Sequence, residues 1–176
     1  YTHNSYGSNF GALELDNVFA FGDRTDALTF VQCANTDSVF LRNSYSYQYR
    51  YGYANCWAAY NNIRSCGFID VINGISFSST GALATITNTF IKTNAAVAAN
   101  GITLADSMQL SLANSIVHLH STAPKNNSTG TFIARAGVRG NRVNMTGNVF
   151  ICDVDSSNNV LVAAVNTDKG AATSTD

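Results

Sequence analysis

Charge is scarce in this sequence. Only 12% of its residues are charged and the net charge is −1, whereas about 25% of the residues of an average globular domain are charged. The chain has no basic run of the kind that follows a phosphate backbone, so nucleic-acid binding is not expected. No apolar stretch approaches the roughly 20 residues of a membrane-spanning helix, so membrane insertion is not expected either.

Helix-forming residues and proline are scarce as well. The sequence has one proline, Pro124, and one glutamate, Glu14, while Asn, Ser, Thr, Gly and β-branched residues are abundant. This composition favours strands over helices. With 176 residues, of which 45% are hydrophobic, the chain is long enough for one domain with a sizeable core. We therefore predict an all-β fold.

Metal-binding patterns are also missing. The sequence contains four cysteines, Cys33, Cys56, Cys66 and Cys152. They form no CxxC pair, and no cluster of Cys and His has the spacing of zinc ligands. We predict four buried, reduced thiols, no metal site and no cofactor. His3 and His120 are assigned no role.

A repeated phrase runs through the chain. It consists of alternating apolar residues, an Asn, one small residue and an apolar residue, and its copies are LELDNVF (13–19), VFLRNSY (39–45), ATITNTF (84–90), LSLANSI (110–116) and NMTGNVF (144–150). Ser65 in IRSCGF fits a missing copy between the second and the third. We predict that the asparagines point inward at tight turns and bond to one another from coil to coil. These asparagines are Asn17, Asn43, Asn88, Asn114 and Asn148.

A second phrase accompanies the first, as ALTF (27–30), GISF (74–77) and GITL (101–104). Two strand phrases in every 22–27 residues, with turn residues between them, are typical of a solenoid. A leucine-rich repeat would need Leu at several fixed sites and usually a helical segment, which this sequence does not offer. We predict a right-handed, single-stranded parallel β-helix of about five to six coils.

One domain accounts for most of the chain. We assign the β-helix to residues 1–155, with a turn-rich insertion at 121–130, and a polar extension or linker to residues 156–176. The sequence starts at Tyr1 without an initiator Met, so we expect a fragment of a longer protein.

The repeat also assigns a direction to each side chain, because neighbours on a strand point to opposite faces. The predicted inward positions are Leu15, Leu41, Ile86 and Leu112. Glu14 and Asp16 then point outward, with Phe40 and Arg42 beside them on the next coil. Asp16 and Arg42 form either an exposed ion pair or part of a substrate groove.

The segment SYSYQYRYGYANCW has tyrosine at every second position from Tyr45 to Tyr53. Tyr45 shares the phase of Phe19 and is predicted to lie in the core. Tyr47 shares the phase of Lys92, so this ring and the three that follow it are predicted to face outward. They would meet a sugar or a neighbouring subunit, or stay partly in the core.

The repeated, Asn-rich and charge-poor phrases across residues 10–155 resemble those of bacteriophage tailspikes and receptor-binding tail fibres, and more distantly the pectate-lyase-like β-helix superfamily. The resemblance implies a homotrimer on the virion tail that binds, and often cleaves, capsular or O-antigen polysaccharide. No catalytic motif of that family is recognisable in this sequence. A secreted or bacterial cell-surface protein is the alternative location.

Three functions remain open at this point. Hydrolysis of a polysaccharide needs two carboxylates about 5–9.5 Å apart, and Glu14 and Asp16 are roughly 6.5–7 Å apart on one strand. A lyase would instead use a base and a cation. A binding module would stack sugars on aromatic rings, and a structural fibre segment would use the same rings as a subunit contact. The predicted substrate-binding residues are Arg42, Tyr47, Tyr49, Arg50, Tyr51, Lys92 and His118.

Overall fold

The chain folds as a parallel β-solenoid. A computed structural model describes residues 2–3, 10–23, 29–33, 36–94, 98–120, 129–135, 140–153 and 172–175. Every regular element in these residues is a strand, and every strand pair is parallel within one of three sheets. The prediction of an all-β parallel β-helix is therefore confirmed. Among the described residues there is no helix with the length and apolarity needed to cross a membrane.

The three sheets take their strands from the chain in strict rotation. The first sheet contains β1 (Thr2–His3), β4 (Thr29–Cys33), β7 (Tyr51–Cys56), β10 (Asn73–Phe77), β13 (Ala98–Leu104) and β16 (Thr129–Arg135). The second contains β2 (Phe10–Asp16), β5 (Thr36–Arg42), β8 (Ala58–Arg64), β11 (Leu83–Thr87), β14 (Gln109–Ala113), β17 (Arg142–Thr146) and β19 (Ala172–Thr175). The third contains β3 (Phe19–Phe21), β6 (Tyr45–Tyr47), β9 (Gly67–Val71), β12 (Phe90–Thr93), β15 (Ile116–Leu119) and β18 (Val149–Cys152).

Each coil contributes one strand to each sheet, because two parallel neighbours need a long crossover, which the other two sheets supply. The solenoid makes about four full turns, each with a neighbouring coil on both sides in all three sheets, and a further coil lies at each end. The number of full turns differs slightly from the five to six coils predicted. Strand β19 pairs with β17, so residues 172–175 of the predicted C-terminal extension belong to the second sheet. The predicted insertion at 121–130 lies almost entirely outside the described residues.

The core lies between the three sheets, and the repeated phrase sets its register. Leu15 pairs with Leu41 and Leu41 pairs with Ile63; Ile86 pairs with both Ile63 and Leu112. Leu41, Ile63, Ile86 and Leu112 are fully buried, and Leu15 packs against the core from the first coil. The predicted inward row is confirmed, and Ile63 supplies the missing copy.

The second phrase is in register for two of its three copies. Ile75 pairs with Ile102 and Ser76 with Thr103, so GISF and GITL are equivalent. ALTF is out of step, because Thr29 pairs with Tyr51, which pairs in turn with Asn73.

The turn that ends each strand of the second sheet has one residue in the left-handed conformation. In successive coils this residue is Asn17, Asn43, Ser65, Asn88, Asn114 and Gly147, with φ between 47° and 61°. Asn and Gly tolerate this region best, which explains the repeated Asn. The side chains of these asparagines are exposed, so the predicted inward Asn ladder is wrong. The prediction also assigned Asn148 to the turn of its coil, but Gly147 occupies that turn and Asn148 is the residue after it.

A ladder of small polar side chains does exist, one residue later. Ser44 and Ser115 are buried there. The Oγ of Ser44 accepts the Val18 N–H at 3.1 Å, and the Oγ of Ser115 accepts the Thr89 N–H at 3.1 Å. Asn148 continues the row by accepting the Ser115 N–H at 2.9 Å. Each side chain thus satisfies a backbone donor of the preceding coil, which would otherwise be buried without a partner.

Cys66 occupies the same row in the short coil. Its thiol donates to the carbonyl oxygens of Leu41 and Arg64. Burial raises the pKa of the Cys66 thiol from 9.0 to about 11, despite backbone hydrogen bonds that act in the opposite direction. The thiol is therefore inert at neutral pH. Cys33 is also buried and reduced, whereas Cys152 is exposed, contrary to the prediction of four buried thiols.

The tyrosine segment is not one strand. It is divided by Gln48, a non-glycine residue with φ 61°, so the alternation does not continue from β6 into β7. Tyr45 is 41% exposed rather than buried, and its ring stacks on Phe19 at 5.4 Å. Tyr53 is fully buried rather than outward, and its hydroxyl donates to the side chain of Asn61. Both predictions were wrong because the alternation of inward and outward side chains does not continue across a turn, and the chain turns at Asn43 and at Gln48.

Gly74 marks a place where the core has no room for a side chain. It is buried in β10, and a Cβ added there would overlap the carbonyl oxygen of Gly101 and a methyl group of Ile91. The Gly101 carbonyl belongs to the backbone of β13, which cannot move without disturbing the ladder. Gly74 is therefore required by close backbone approach.

We predict that Gly74→Ala lowers the free energy of unfolding by roughly 3 kcal/mol, because overpacking against backbone cannot relax. Gly11→Ala is the matched control, since a Cβ at Gly11 would meet nothing within 4 Å. It should change stability by less than about 0.5 kcal/mol. Urea denaturation followed by circular dichroism measures both variants, and equal midpoints would refute the packing of β10 against β13.

Candidate functional site

The outward side of the second sheet carries a face of polar and aromatic side chains. We call it the arginine face and define it by nine of the outward side chains of β2, β5, β8 and β11: Glu14, Asp16, Phe40, Arg42, Tyr60, Asn62, Arg64, Thr85 and Thr87. The strand registers place Glu14 beside Phe40 and Asp16 beside Arg42. The face is therefore acidic at β2, basic at β5 and β8, and neutral at β11.

Two arginines occupy the middle of this face. Arg42 pairs in register with Arg64, and Arg64 pairs in register with Thr87 on its other side. Parallel neighbours lie about 4.8 Å apart, so two exposed guanidinium groups share one short row. Like charges directly opposite each other on adjacent strands are destabilising. Arg42 has the carboxylate of Asp16 on its other side, whereas Arg64 has the neutral Thr87.

A shallow groove of ≈ 600 Å³ runs past these arginines. It is lined by Arg42, Asn62, Arg64, Thr87, Asn88 and Asn114. Asn88 and Asn114 contribute because their left-handed turns direct the side chains away from the core. The lining is rich in donors that can bond hydroxyl or carboxylate oxygens.

Aromatic rings flank the groove on the β5 and β8 side. The rings of Phe40 and Tyr60 lie 5.8 Å apart at an angle of 58°. The guanidinium carbon of Arg42 lies 5.4 Å from the centre of the Phe40 ring. Asn62 donates to the Tyr60 hydroxyl at 3.2 Å. These contacts hold the ring, guanidinium and amide in fixed relative positions.

The two predicted catalytic carboxylates lie at the β2 end of the same face. Glu14 and Asp16 are both exposed and separated by one inward residue on β2. Asp16 Oδ1 accepts a hydrogen bond from Asn43 Nδ2 at 2.9 Å, which fixes the carboxylate beside Arg42. Two carboxyl groups on one face are the residue types that glycoside hydrolysis uses as general acid and as nucleophile or base.

The other predicted substrate-binding residues lie elsewhere. Tyr47, Lys92 and His118 are in one outward column of the third sheet, as predicted, with Ile69 between Tyr47 and Lys92. Lys92 Nζ is 3.3 Å from Asp70 Oδ1 and so forms an ion pair. The structure does not bring this column together with Glu14 and Asp16.

Tyr49, Arg50 and Tyr51 lie where the chain passes from the third sheet to the first. All three are half-buried. The Tyr49 ring packs 5.9 Å from Phe30, and the guanidinium carbon of Arg50 lies 5.5 Å from the centre of the Tyr51 ring. The predicted binding residues are thus divided among three separate regions of the surface.

Sequence reasoning missed Arg64, Asn62 and Tyr60 as site residues. The signal for Arg64 was present, since it immediately precedes Ser65 as Arg42 precedes Asn43. Ser65 had already been assigned to the turn of the missing coil, and applying the same phase to Arg64 would have placed both arginines in one row.

The third sheet has a second notable surface, which is apolar. We call it the aromatic edge and define it as the outward side chains of β3 and β6: Phe19, Phe21, Tyr45 and Tyr47. Phe21 is 81% exposed and Phe19 65% exposed. Exposed aromatic side chains that are contiguous mark contact surfaces more often than isolated ones do.

A scan against protein-family models finds no match to this chain, and neither do searches of curated proteins and of solved structures.

Proposed function

We propose that the arginine face binds an acidic polysaccharide of a bacterial surface, as part of a phage tailspike. The observation that carries this proposal is the row of Arg42 and Arg64 in a groove flanked by the Phe40 and Tyr60 rings. Guanidinium groups bind carboxylates with two parallel hydrogen bonds. Aromatic rings stack on the apolar CH faces of sugars, and the Asn side chains can bond hydroxyl groups.

The solenoid suits a repeating ligand. Successive coils present equivalent side chains about every 4.8 Å along the axis. A polysaccharide lying along the axis would therefore meet donors on β5, β8 and β11 in turn. The location that follows from this proposal is the virion tail, where the chain would contact the host capsule or O-antigen.

We further propose that Glu14 and Asp16 cleave the bound chain by glycoside hydrolysis. One carboxyl group would protonate the leaving oxygen, and the other would act as nucleophile or base. A lyase is the related possibility, in which Arg42 and Arg64 neutralise a uronate carboxylate while a base removes the neighbouring proton.

A structural role in a trimeric fibre is the second candidate function. The aromatic edge favours it, since aromatic residues are enriched at subunit interfaces. Phe19 and Phe21 lie on β3, away from the arginine face, so both functions can coexist in one assembly.

For binding, we predict that Arg42→Ala and Arg64→Ala each lower the affinity for acidic capsular polysaccharide at least about tenfold, because a charge-assisted hydrogen bond contributes roughly 1.5–3 kcal/mol. Calorimetric titration with acidic and neutral polysaccharides measures this. Arg142→Ala is the matched control, since Arg142 is an exposed arginine of the same sheet outside the groove. Equal binding of neutral and acidic polymers, or unchanged binding by both groove variants, would contradict the proposal.

For cleavage, we predict that Glu14→Gln and Asp16→Asn abolish the release of reducing ends while leaving polysaccharide binding intact. Asp37→Asn, at an exposed carboxylate of β5 outside the groove, should cleave normally. Reducing-end release and absorbance of unsaturated uronate distinguish a hydrolase from a lyase. Binding without product in the unmodified chain would leave a binding module, and cleavage that survives both substitutions would exclude this carboxylate pair.

For assembly, we predict a particle of about three times the 18.8 kDa chain mass by light scattering. Phe19→Ser combined with Phe21→Ser should shift it toward the monomer, because the exposed apolar area on β3 is removed. Leu83→Ser is the control, since Leu83 is 45% exposed on a different sheet. A monomeric unmodified chain would remove the case for a trimer.

A further inference from the structure

Three potential metal ligands converge at one end of the third sheet. His118 Nε2 and His120 Nδ1 each lie 3.0 Å from the same oxygen, Oδ2 of Asp153. The coordinating atoms of all three residues lie within 4.8 Å of one another. This cluster lies on a different sheet from the arginine face and does not depend on the function proposed for it.

The fold places these side chains by register. His118 points outward from β15, and His120 follows two positions later on the same side. Asp153 follows β18 directly on the next coil, where its N–H donates to the Leu119 carbonyl at 3.1 Å. The ladder therefore holds the carboxylate opposite His120 although 33 residues separate the two in the chain.

The backbone of His120 is also fixed from the preceding coil. Its N–H donates to Thr93 Oγ1 at 3.1 Å, and the Thr93 hydroxyl donates back to the His120 carbonyl at 3.4 Å. A metal-binding residue held in this way loses little conformational entropy when a ligand arrives.

One imidazole nitrogen of the cluster lacks a hydrogen bond. His118 Nε2 is buried and has no hydrogen-bond partner among the described residues. Its 3.0 Å distance to Asp153 Oδ2 is that of an ion pair, but the contact is not aligned as a hydrogen bond. A buried polar atom of this kind calls for an explanation, and a lone pair directed at a bound cation supplies one.

We propose that His118, His120 and Asp153 bind a divalent transition-metal ion, with Zn²⁺ as the best fit. Two imidazoles and one carboxylate are ligands that zinc prefers, whereas calcium and magnesium prefer sites made of oxygens alone. In a tetrahedral zinc site with bonds of about 2.0–2.1 Å, ligand atoms lie about 3.3 Å apart. The two 3.0 Å contacts need to open by only a few tenths of an ångström.

Bound metal would join two coils. His118 and His120 belong to the coil of β15 and Asp153 to the coil of β18, so the ion bridges them beside the ladder. An ion that binds only the folded chain stabilises it by an amount that rises with the logarithm of its free concentration above the dissociation constant. Three protein ligands leave one coordination position for water or another donor.

The test is calorimetric titration of the chelator-treated chain with ZnCl₂. We expect one Zn²⁺ per chain, a rise of several degrees in melting temperature, and no binding of Ca²⁺ or Mg²⁺. His118→Asn combined with His120→Asn should weaken binding at least a hundredfold. His3→Asn and Cys152→Ser are the controls and should bind normally, because neither residue belongs to the proposed set.

Histidine ring resonances of the unmodified chain, followed by NMR during the same titration, keep the test valid if the double variant fails to fold. We expect two of the three histidines to shift together at one equivalent of Zn²⁺. Absence of stoichiometric binding, retention of binding in a folded double variant, or loss of binding with His3→Asn or Cys152→Ser would overturn the proposal.

Discussion

The parallel hydrogen-bond ladder between coils is the constraint on which the rest of this structure depends. It aligns each residue with one equivalent on the coil before and one on the coil after, about 4.8 Å away. Because the ladder is continuous in all three sheets, a substitution at one position changes the packing of its paired neighbours on the adjacent coils. The core, the turns and the arginine face are built from rows of this kind, and small buried hydroxyls such as those of Ser44 and Ser115 bond the backbone of the preceding coil at the turns.

Chemistry on such a scaffold comes from what neighbouring coils place in one row. Arg42 and Arg64 form a cationic pair because their coils are in register, not because they are close in sequence. His120 and Asp153 meet for the same reason. The two clusters lie on different sheets, so the polymer binding and the metal binding that we propose would not compete for one surface. The proposal of an extended acidic polymer as the ligand rests on the groove rather than on any single residue.

Much of the fold could be predicted from the sequence, because the repeat is carried by residues with strong local reasons to recur. Asn at a left-handed turn and Leu at an inward position are visible without any structure. The tyrosine segment could not be predicted in the same way. Gln48 adopts the left-handed conformation and interrupts the alternation, but Gln is not a residue type that favours this conformation. The candidate site was found in part: Glu14, Asp16 and Arg42 share one face, while Arg64 was overlooked and Lys92 and His118 lie on another sheet.

Coil length varies while the inward row of the second sheet stays in register. Equivalent positions are 22 residues apart between β5 and β8 and 33 apart between β14 and β17, yet the rows continue across both steps. The inward row of the second sheet therefore tolerates coils of different length. A chain built in this way can exchange or lengthen one connection without redesigning its interior. Its surface connections can therefore accept sequence changes, in evolution or in protein engineering, that its core would not tolerate.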